Sequence, residues 1–204
     1  MNDLNNRLFQ TLNIIVDLFL LNLLWVIASL PLITFFPATA AMFGVVRKRI
    51  LKKESEGIFK SFFKMFKENF KQSFIISILW SAFAVFLFFD YVYINPETSV
   101  FQLILYVVWV IGIVLFSTIS IYIFPIMVHF DLSWKIVIRN AFFFSLMNPL
   151  ITLILLIVGG IGGVLLYTYP ASVFIIGTPF ATIVYYLSQV TFNQALNIKK
   201  NEFE

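Results

Sequence analysis

Chemistry requires ionisable, nucleophilic or metal-ligating side chains at workable spacing, and this chain is poor in them. It has one histidine, His129, and no cysteine. His129 stands two residues before Asp131, a pair that invites an acid/base reading. Such catalysis needs a nucleophile or metal within hydrogen-bond reach and a third group to orient the base. A single histidine cannot build the multi-His sites common to metalloenzymes. The pair is therefore read as a polar contact at the edge of an apolar segment. Without cysteine there is no disulfide framework, thiolate chemistry or Cys-ligated metal. The expectation is a noncatalytic protein with no metal and no cofactor.

Asp17 is the only charged residue between Arg7 and Arg47, and Asn13 shares its helix face one turn earlier. A carboxylate at the centre of a membrane helix costs about 2.5–3.5 kcal/mol, less near an end, so it usually faces a partner or water. Arg7, Arg47 and Arg49 are candidate partners. Three roles stay open: a structural contact, a contact to a partner or substrate, and proton coupling. If Asp17→Asn left folding, assembly and transport unchanged, the last two would fail. Asn22 is the next polar group along, and Asn148, Gln189, Asn193 and Gln194 are scattered far from it. A permease for sugars or ions would gather more polar groups near the midplane.

Gly159, Gly160, Gly162 and Gly163 contain one small-xxx-small pair, Gly159 and Gly163, which lets helices approach closely in lipid. A phosphate loop is excluded because no Lys-Ser or Lys-Thr follows.

The elements that must carry these residues follow from charge and hydropathy. Of 204 residues, 61% are apolar, 12% are charged and 26 are Phe, outside the range of a water-soluble domain. Uncharged runs of 18 residues (Lys71 to Asp90), 31 (Glu97 to His129) and 59 (Arg139 to Lys199) meet the length of about 20 residues that a hydrocarbon core of about 30 Å demands. The longest run must fold in two, with Tyr167-Thr168-Tyr169-Pro170 as its turn. An all-α polytopic transmembrane bundle is expected, a single membrane domain with spans over 8–30, 37–53 (short), 71–93, 101–128, 141–167 and 171–196. The apolar run from Leu18 to Pro37 is too long for a cleaved signal peptide, despite Ala38-Thr39-Ala40.

Nine of the 14 Lys and Arg lie between Arg47 and Lys71, so segment 47–71 is expected to stay in the cytoplasm. Later loops then alternate out, in, out, in, with the C-terminus inside. Residues 37–46 alone make only about 15 Å of helix. They cross if the helix continues through Arg47, Lys48 and Arg49 or is packed inside the bundle. That six-span, N-inside arrangement is favoured over five spans with residues 31–46 re-entrant. Phe36-Pro37, Phe124-Pro125 and Thr178-Pro179 each precede an apolar helix, and the common occurrence of Pro in membrane helices explains them.

From 57 to 70, Phe59, Phe62, Phe63, Phe66 and Phe70 follow i, i+3, i+4 spacing beside a stripe of Lys60, Lys64, Lys67 and Lys71. This predicts an amphipathic interfacial helix, its rings in the headgroup boundary and its lysines on anionic lipid. It either fixes topology or docks a partner. The same membrane explanation accounts for the basic segment without nucleic acid.

Asn22-Leu23-Leu24-Trp25, Leu30-Pro31, the run from Phe36-Pro37-Ala38-Thr39 through Gly44-Val45-Val46-Arg47-Lys48, then Phe59, Phe63 and Phe66-Lys67-Glu68-Asn69-Phe70-Lys71-Gln72 resemble the YesL-like family of small Gram-positive membrane proteins, a domain of unknown function. Phe124-Pro125 and Asn148-Pro149 are later echoes. The resemblance implies an accessory or regulatory role beside a carbohydrate ABC importer, with permease or ATPase subunits as partners. It carries no catalytic residues. Candidate docking residues are Pro37, Arg47, Lys48, Arg49, Phe59, Phe62, Phe63, Phe66, Lys67, Asn69, Phe70 and Lys71. The alternative is a small autonomous transporter or channel using Asp17 and the Pro-broken helices.

Overall fold

A computed structural model describes residues 2–51 and 56–201, with side chains from 12 to 51 and from 56 to 196. The side chains of Arg7, Lys52, Lys53, Glu54, Lys199 and Lys200, invoked above for topology and pairing, lie outside the described residues. The fold is all-α: α1 (Asn2–Ser29), α2 (Phe35–Ile50), α3 (Ile58–Tyr93), α4 (Val100–His129), α5 (Trp134–Met147), α6 (Pro149–Thr168) and α7 (Val173–Asn201), with 3-10 turns at Leu32–Thr34 and Pro170–Ser172. Five segments are long and apolar enough to cross a membrane: Leu12–Ser29, Ile58–Tyr93, Val100–His129, Pro149–Thr168 and Pro170–Leu196. In the α4 segment only 6% of the most apolar window is buried by the rest of the protein. So much outward apolar surface is stable only with hydrocarbon as solvent.

The core is α2. Pro31 and a 3-10 turn reverse the chain after α1, and Thr34 donates its hydroxyl to the Ala28 carbonyl (2.6 Å) to close the corner. α2 then runs antiparallel to α1, with Trp25 Nε1 donating to Thr39 Oγ1 (3.1 Å) near the turn and Arg49 meeting Asp17 at the far end. Every residue from Pro37 to Val46 is buried. A helix apolar on all sides belongs inside a bundle, and Ala38, Ala40, Ala41 and Gly44 keep it thin enough for neighbours on several sides. Its 16 residues give about 24 Å, short for exposed hydrocarbon but sufficient inside protein. The helix stops at Ile50 rather than 53, and Arg47, Lys48 and Arg49 in its last turn offset the dipole there.

Gly44 sets the α2–α3 distance. A Cβ on it would lie 2.8 Å from Met65 Sδ and 3.2 Å from Met65 Cβ. Gly44→Val is therefore expected to cost about 2 kcal/mol by overpacking. Met65→Ala in the same chain should recover part of the loss in a detergent unfolding curve, and equal destabilisation with and without Met65 would contradict this packing.

Two expected boundaries are corrected. The interfacial helix 57–70 and the span 71–93 are one continuous helix, because nothing from Ile58 to Tyr93 is Gly or Pro and no break is encoded. It does not lie flat on lipid with all its Phe rings. Ile58, Ser61, Phe62 and Met65 are buried, so the Phe stripe is split between core and surface. Its 36 residues make about 54 Å of helix, more than a hydrocarbon core of about 30 Å holds even at strong tilt. The lysine-bearing N-terminal part is the portion that protrudes.

The expected span 141–167 is instead α5 and α6, broken at Asn148. Pro149 lacks an N–H and its ring would clash with the Ser145 carbonyl in an unbroken helix. Thr152 donates its hydroxyl to that freed carbonyl (2.8 Å), and Tyr122 of α4 meets the Thr152 hydroxyl at 3.1 Å. The break is thus locked by a buried polar chain.

Candidate functional site

Asn22, entirely buried, fastens α1 to α7. Its Nδ2 donates to the Val173 carbonyl (2.9 Å) and its Oδ1 accepts from the Thr178 amide (2.9 Å), so the carboxamide bridges the first turn of α7. The close approach depends on Gly177. A Cβ there would sit 2.5 Å from Asn22 Oδ1 and 2.9 Å from the Trp25 ring. Trp25 and Thr39 spend their polar atoms on each other.

At the other end of α2 lies a polar cluster. Arg49 Nη2 and Asp17 Oδ2 are 2.5 Å apart, so Arg49 rather than Arg47 pairs with Asp17 among the described side chains. Arg47 lies within hydrogen-bonding reach of Tyr185, whose hydroxyl is 2.7 Å from His129 Nδ1. Guanidinium only donates. The tyrosine oxygen therefore accepts from Arg47, and the imidazole tautomer sets the direction of the Tyr185–His129 bond. His129 packs on Phe130, Tyr185 and Phe192, while Asp131 is exposed. Ser188 Oγ, Thr191 Oγ1 and Arg47 Nε are buried without a hydrogen-bond partner. Among the described residues no three His, Asp or Glu side chains gather as a metal would require.

The protruding part of α3 shows two faces. Phe62 is fully buried, and Phe66 and Asn69 are half-buried, with Asn69 Nδ2 donating to the Met65 carbonyl of its own helix (2.9 Å). Phe59, Phe63 and Phe70 are exposed, interleaved with exposed Lys60, Lys64, Lys67 and Lys71. Rings 59 and 63 stand 4.9 Å apart and rings 66 and 70 stand 5.5 Å apart, making an aromatic ladder along the helix. Glu56 opens this face 3.3 Å from Lys60, whose hydrogen bond and charge hold its carboxyl below the usual carboxylate range. Pro37 is not on this surface: it is buried at the other end of α2.

Between α2, α4, α6 and α7 lies a half-open cavity of about 530 Å³. Thr39, Met42, Phe43, Phe124, Gly163 and Phe180 are among its walls. A Cβ on Gly159 would lie at ordinary contact distance from Ile121 (3.8 Å), while one on Gly163 would meet nothing within 4 Å. Both glycines of the expected pair lie on the cavity wall, Gly159 on the side facing Ile121 of α4.

Sequence reasoning missed Tyr185, Ser188, Thr191, Thr178 and Gly177. The signal was available as a hydroxyl or small residue at each turn of α7 from 177 to 191, a face that period-3.6 counting can trace.

A family described as "Protein of unknown function, DUF624" matches residues 18–91, the stretch from the Asp17 edge of α1 to the end of α3. The uncharacterized protein YesL of Bacillus subtilis (strain 168) is 31% identical over 145 residues, 70% of this chain and 68% of the relative. The uncharacterized protein YesV of the same organism is 29% identical over 171 residues, 82% of each chain. YteU, also uncharacterized, is 28% identical over 117 residues, 56% of this chain and 51% of the relative. No solved structure matches. With YesL matched at that identity and coverage and the matched family region spanning α2 and α3, the chain belongs to the YesL-like DUF624 family.

Proposed function

We propose that this protein is a noncatalytic subunit of the cell membrane that docks a larger membrane assembly through the outward face of α3, with segment 47–71 and both termini in the cytoplasm. The partner class is a carbohydrate ABC importer, whose permease or ATPase would meet the protruding helix. One observation carries the reading. Exposed Phe59, Phe63 and Phe70 alternate with four exposed lysines on the part of α3 that outruns the hydrocarbon, where aromatic anchors ringed by charge suit a protein interface. Arg47, Lys48 and Arg49 lie at the adjoining end of α2 and fix the cytoplasmic side.

Native-membrane cross-linking in cells growing on oligosaccharide is expected to join Lys60, Lys64 or Lys67 to importer subunits. The paired change Phe59→Glu and Phe63→Glu should abolish the link while leaving the protein folded, since both rings point outward. Absence of importer peptides, with normal oligosaccharide uptake on deletion, would sink the proposal. Pro125 in α4 and Pro179 in α7, each removing one backbone hydrogen bond from a helix that continues through it, are the features behind a second reading, a small autonomous transporter or channel. Flux of a labelled solute in vesicles holding only this protein would support it. The apolar walls between those helices weigh against a sugar or ion as cargo.

A further inference from the structure

The cavity between α2, α4, α6 and α7 is chemically unusual in having almost no unmet polar need. Thr39 Oγ1 donates to the Phe35 carbonyl and accepts from Trp25, and Ser120 donates to Phe116 and accepts from Trp80. The remaining walls are aliphatic, aromatic or glycine. A sugar or hydrated ion placed there would find few groups to replace its water, whereas a hydrocarbon chain loses nothing. The volume, about 530 Å³, lies within the range of about 300–1,000 Å³ typical of ligand sites.

The polar end of the occupant is set by what adjoins the cavity. Phe43 and Val184 line it. Arg47 follows Phe43 by one turn on the same face of α2, and Tyr185 follows Val184. Arg47 is half-buried and has no carboxylate partner among the described residues. Tyr185, the group within its reach, is neutral and gives the charge no counter-ion. From Arg47 back to Phe35, the last α2 residue on the cavity wall, is twelve residues or about 18 Å of helix. One leaflet of hydrocarbon is half of about 30 Å. The apolar trough and the unpaired cation are thus spaced as the chain and head of one lipid.

We infer that the cavity is a binding site for an anionic glycerophospholipid, one acyl chain lying against Met42, Phe43 and Gly163 and the phosphate meeting Arg47. This differs from general lipid contact, because the trough is walled by α2, α4, α6 and α7, and Met42 and Phe43 at its floor belong to the protein core.

The test uses the full chain in phosphatidylcholine vesicles doped with a trace of phosphatidylglycerol bearing a mid-chain diazirine. After irradiation and peptide mapping, adducts are expected on Met42 or Phe43. Adducts confined to outward residues such as Ile157, Val164 and Ile175 would overturn the site. Gly163→Phe fills the trough without backbone strain, since nothing lies within 4 Å of its Cβ. It should remove the Met42 and Phe43 adducts and leave the outward ones, and persistence of the inner adducts in this variant would count against the proposal. The matched phosphatidylcholine diazirine probe should label the inner residues about five-fold less, the worth of about 1 kcal/mol for one basic residue at the surface. Arg47→Gln should erase that preference. Equal inner labelling by both probes in the native protein would refute the anionic head.

Discussion

Gly177→Val is expected to destabilise the protein by about 3 kcal/mol, lowering its thermal midpoint in detergent by roughly 10 °C. The added Cβ would stand 2.5 Å from Asn22 Oδ1 and within 3.0 Å of two carbons of the Trp25 ring, and neither group has room to retreat. Asn22 is fully buried and held by two hydrogen bonds into α7, while the Trp25 indole is fixed by Thr39. Relief therefore means moving α7 away from α1, which breaks the Asn22 bridge and leaves the Val173 carbonyl and the Thr178 amide seeking partners. Each such intramembrane hydrogen bond is worth about 0.6 kcal/mol on average, so overpacking dominates. The mechanism has a signature in a double-mutant cycle. In an Asn22→Ala background the shortest clash is gone, so Gly177→Val should cost distinctly less than in the native chain. Additive effects of the two changes would show that Gly177 does not set the α1–α7 distance through Asn22.

Gly177 also illustrates what the sequence does and does not disclose. Helix content and the five long apolar segments were legible because lipid imposes a minimum length and forbids charge, and both conditions act on contiguous residues. The short α2 was legible as an anomaly, and burial on all sides resolves it. Two boundaries were misplaced for opposite reasons. At Asn148-Pro149 the uncharged run hides a break: Pro disfavours a helix through it, yet α4 and α7 continue through Pro125 and Pro179, so a proline alone does not mark the boundary. At Lys71 the pattern changes from amphipathic to apolar without a change of element, because a composition shift does not break a helix that has no Gly or Pro. Pairings across the bundle were less accessible. Asp17 offered three arginines, and only the antiparallel register set by the Pro31 turn brings Arg49 to it. His129 suggested Asp131, its sequence neighbour, whereas the fold presents it to Tyr185, 56 residues later. Helical periodicity reports which face is buried; the choice of opposite helix is a long-range property.

The second large effect is expected at that Asp17–Arg49 contact, where Arg49→Asp should cost about 2 kcal/mol and reduce the yield of folded protein in membranes. Two carboxylates would then face each other near the end of a span, where one unpaired acid at mid-membrane already costs about 2.5–3.5 kcal/mol. The smaller figure reflects exposure: the Asp17 side chain is 36% accessible and that of Arg49 is 23%, so water screens part of the repulsion. Reversing the pair with Asp17→Arg in the same chain should restore part of the loss. Full rescue is not expected, because Arg49 also closes the basic last turn of α2, where a cation suits the helix dipole and an anion opposes it. The neutral pair Asp17→Asn with Arg49→Gln separates a structural role from a working one. As a counter-ion contact, the double change should be milder than Arg49→Gln alone, which strands the Asp17 carboxylate near lipid, and associated functions should persist. Were Asp17 coupling a proton to movement of a solute, the double change would abolish flux in vesicles while leaving the unfolding curve near native. Stability and flux measured on the same four proteins therefore decide between an ion pair that holds α1 to α2 and a carboxylate that does chemistry.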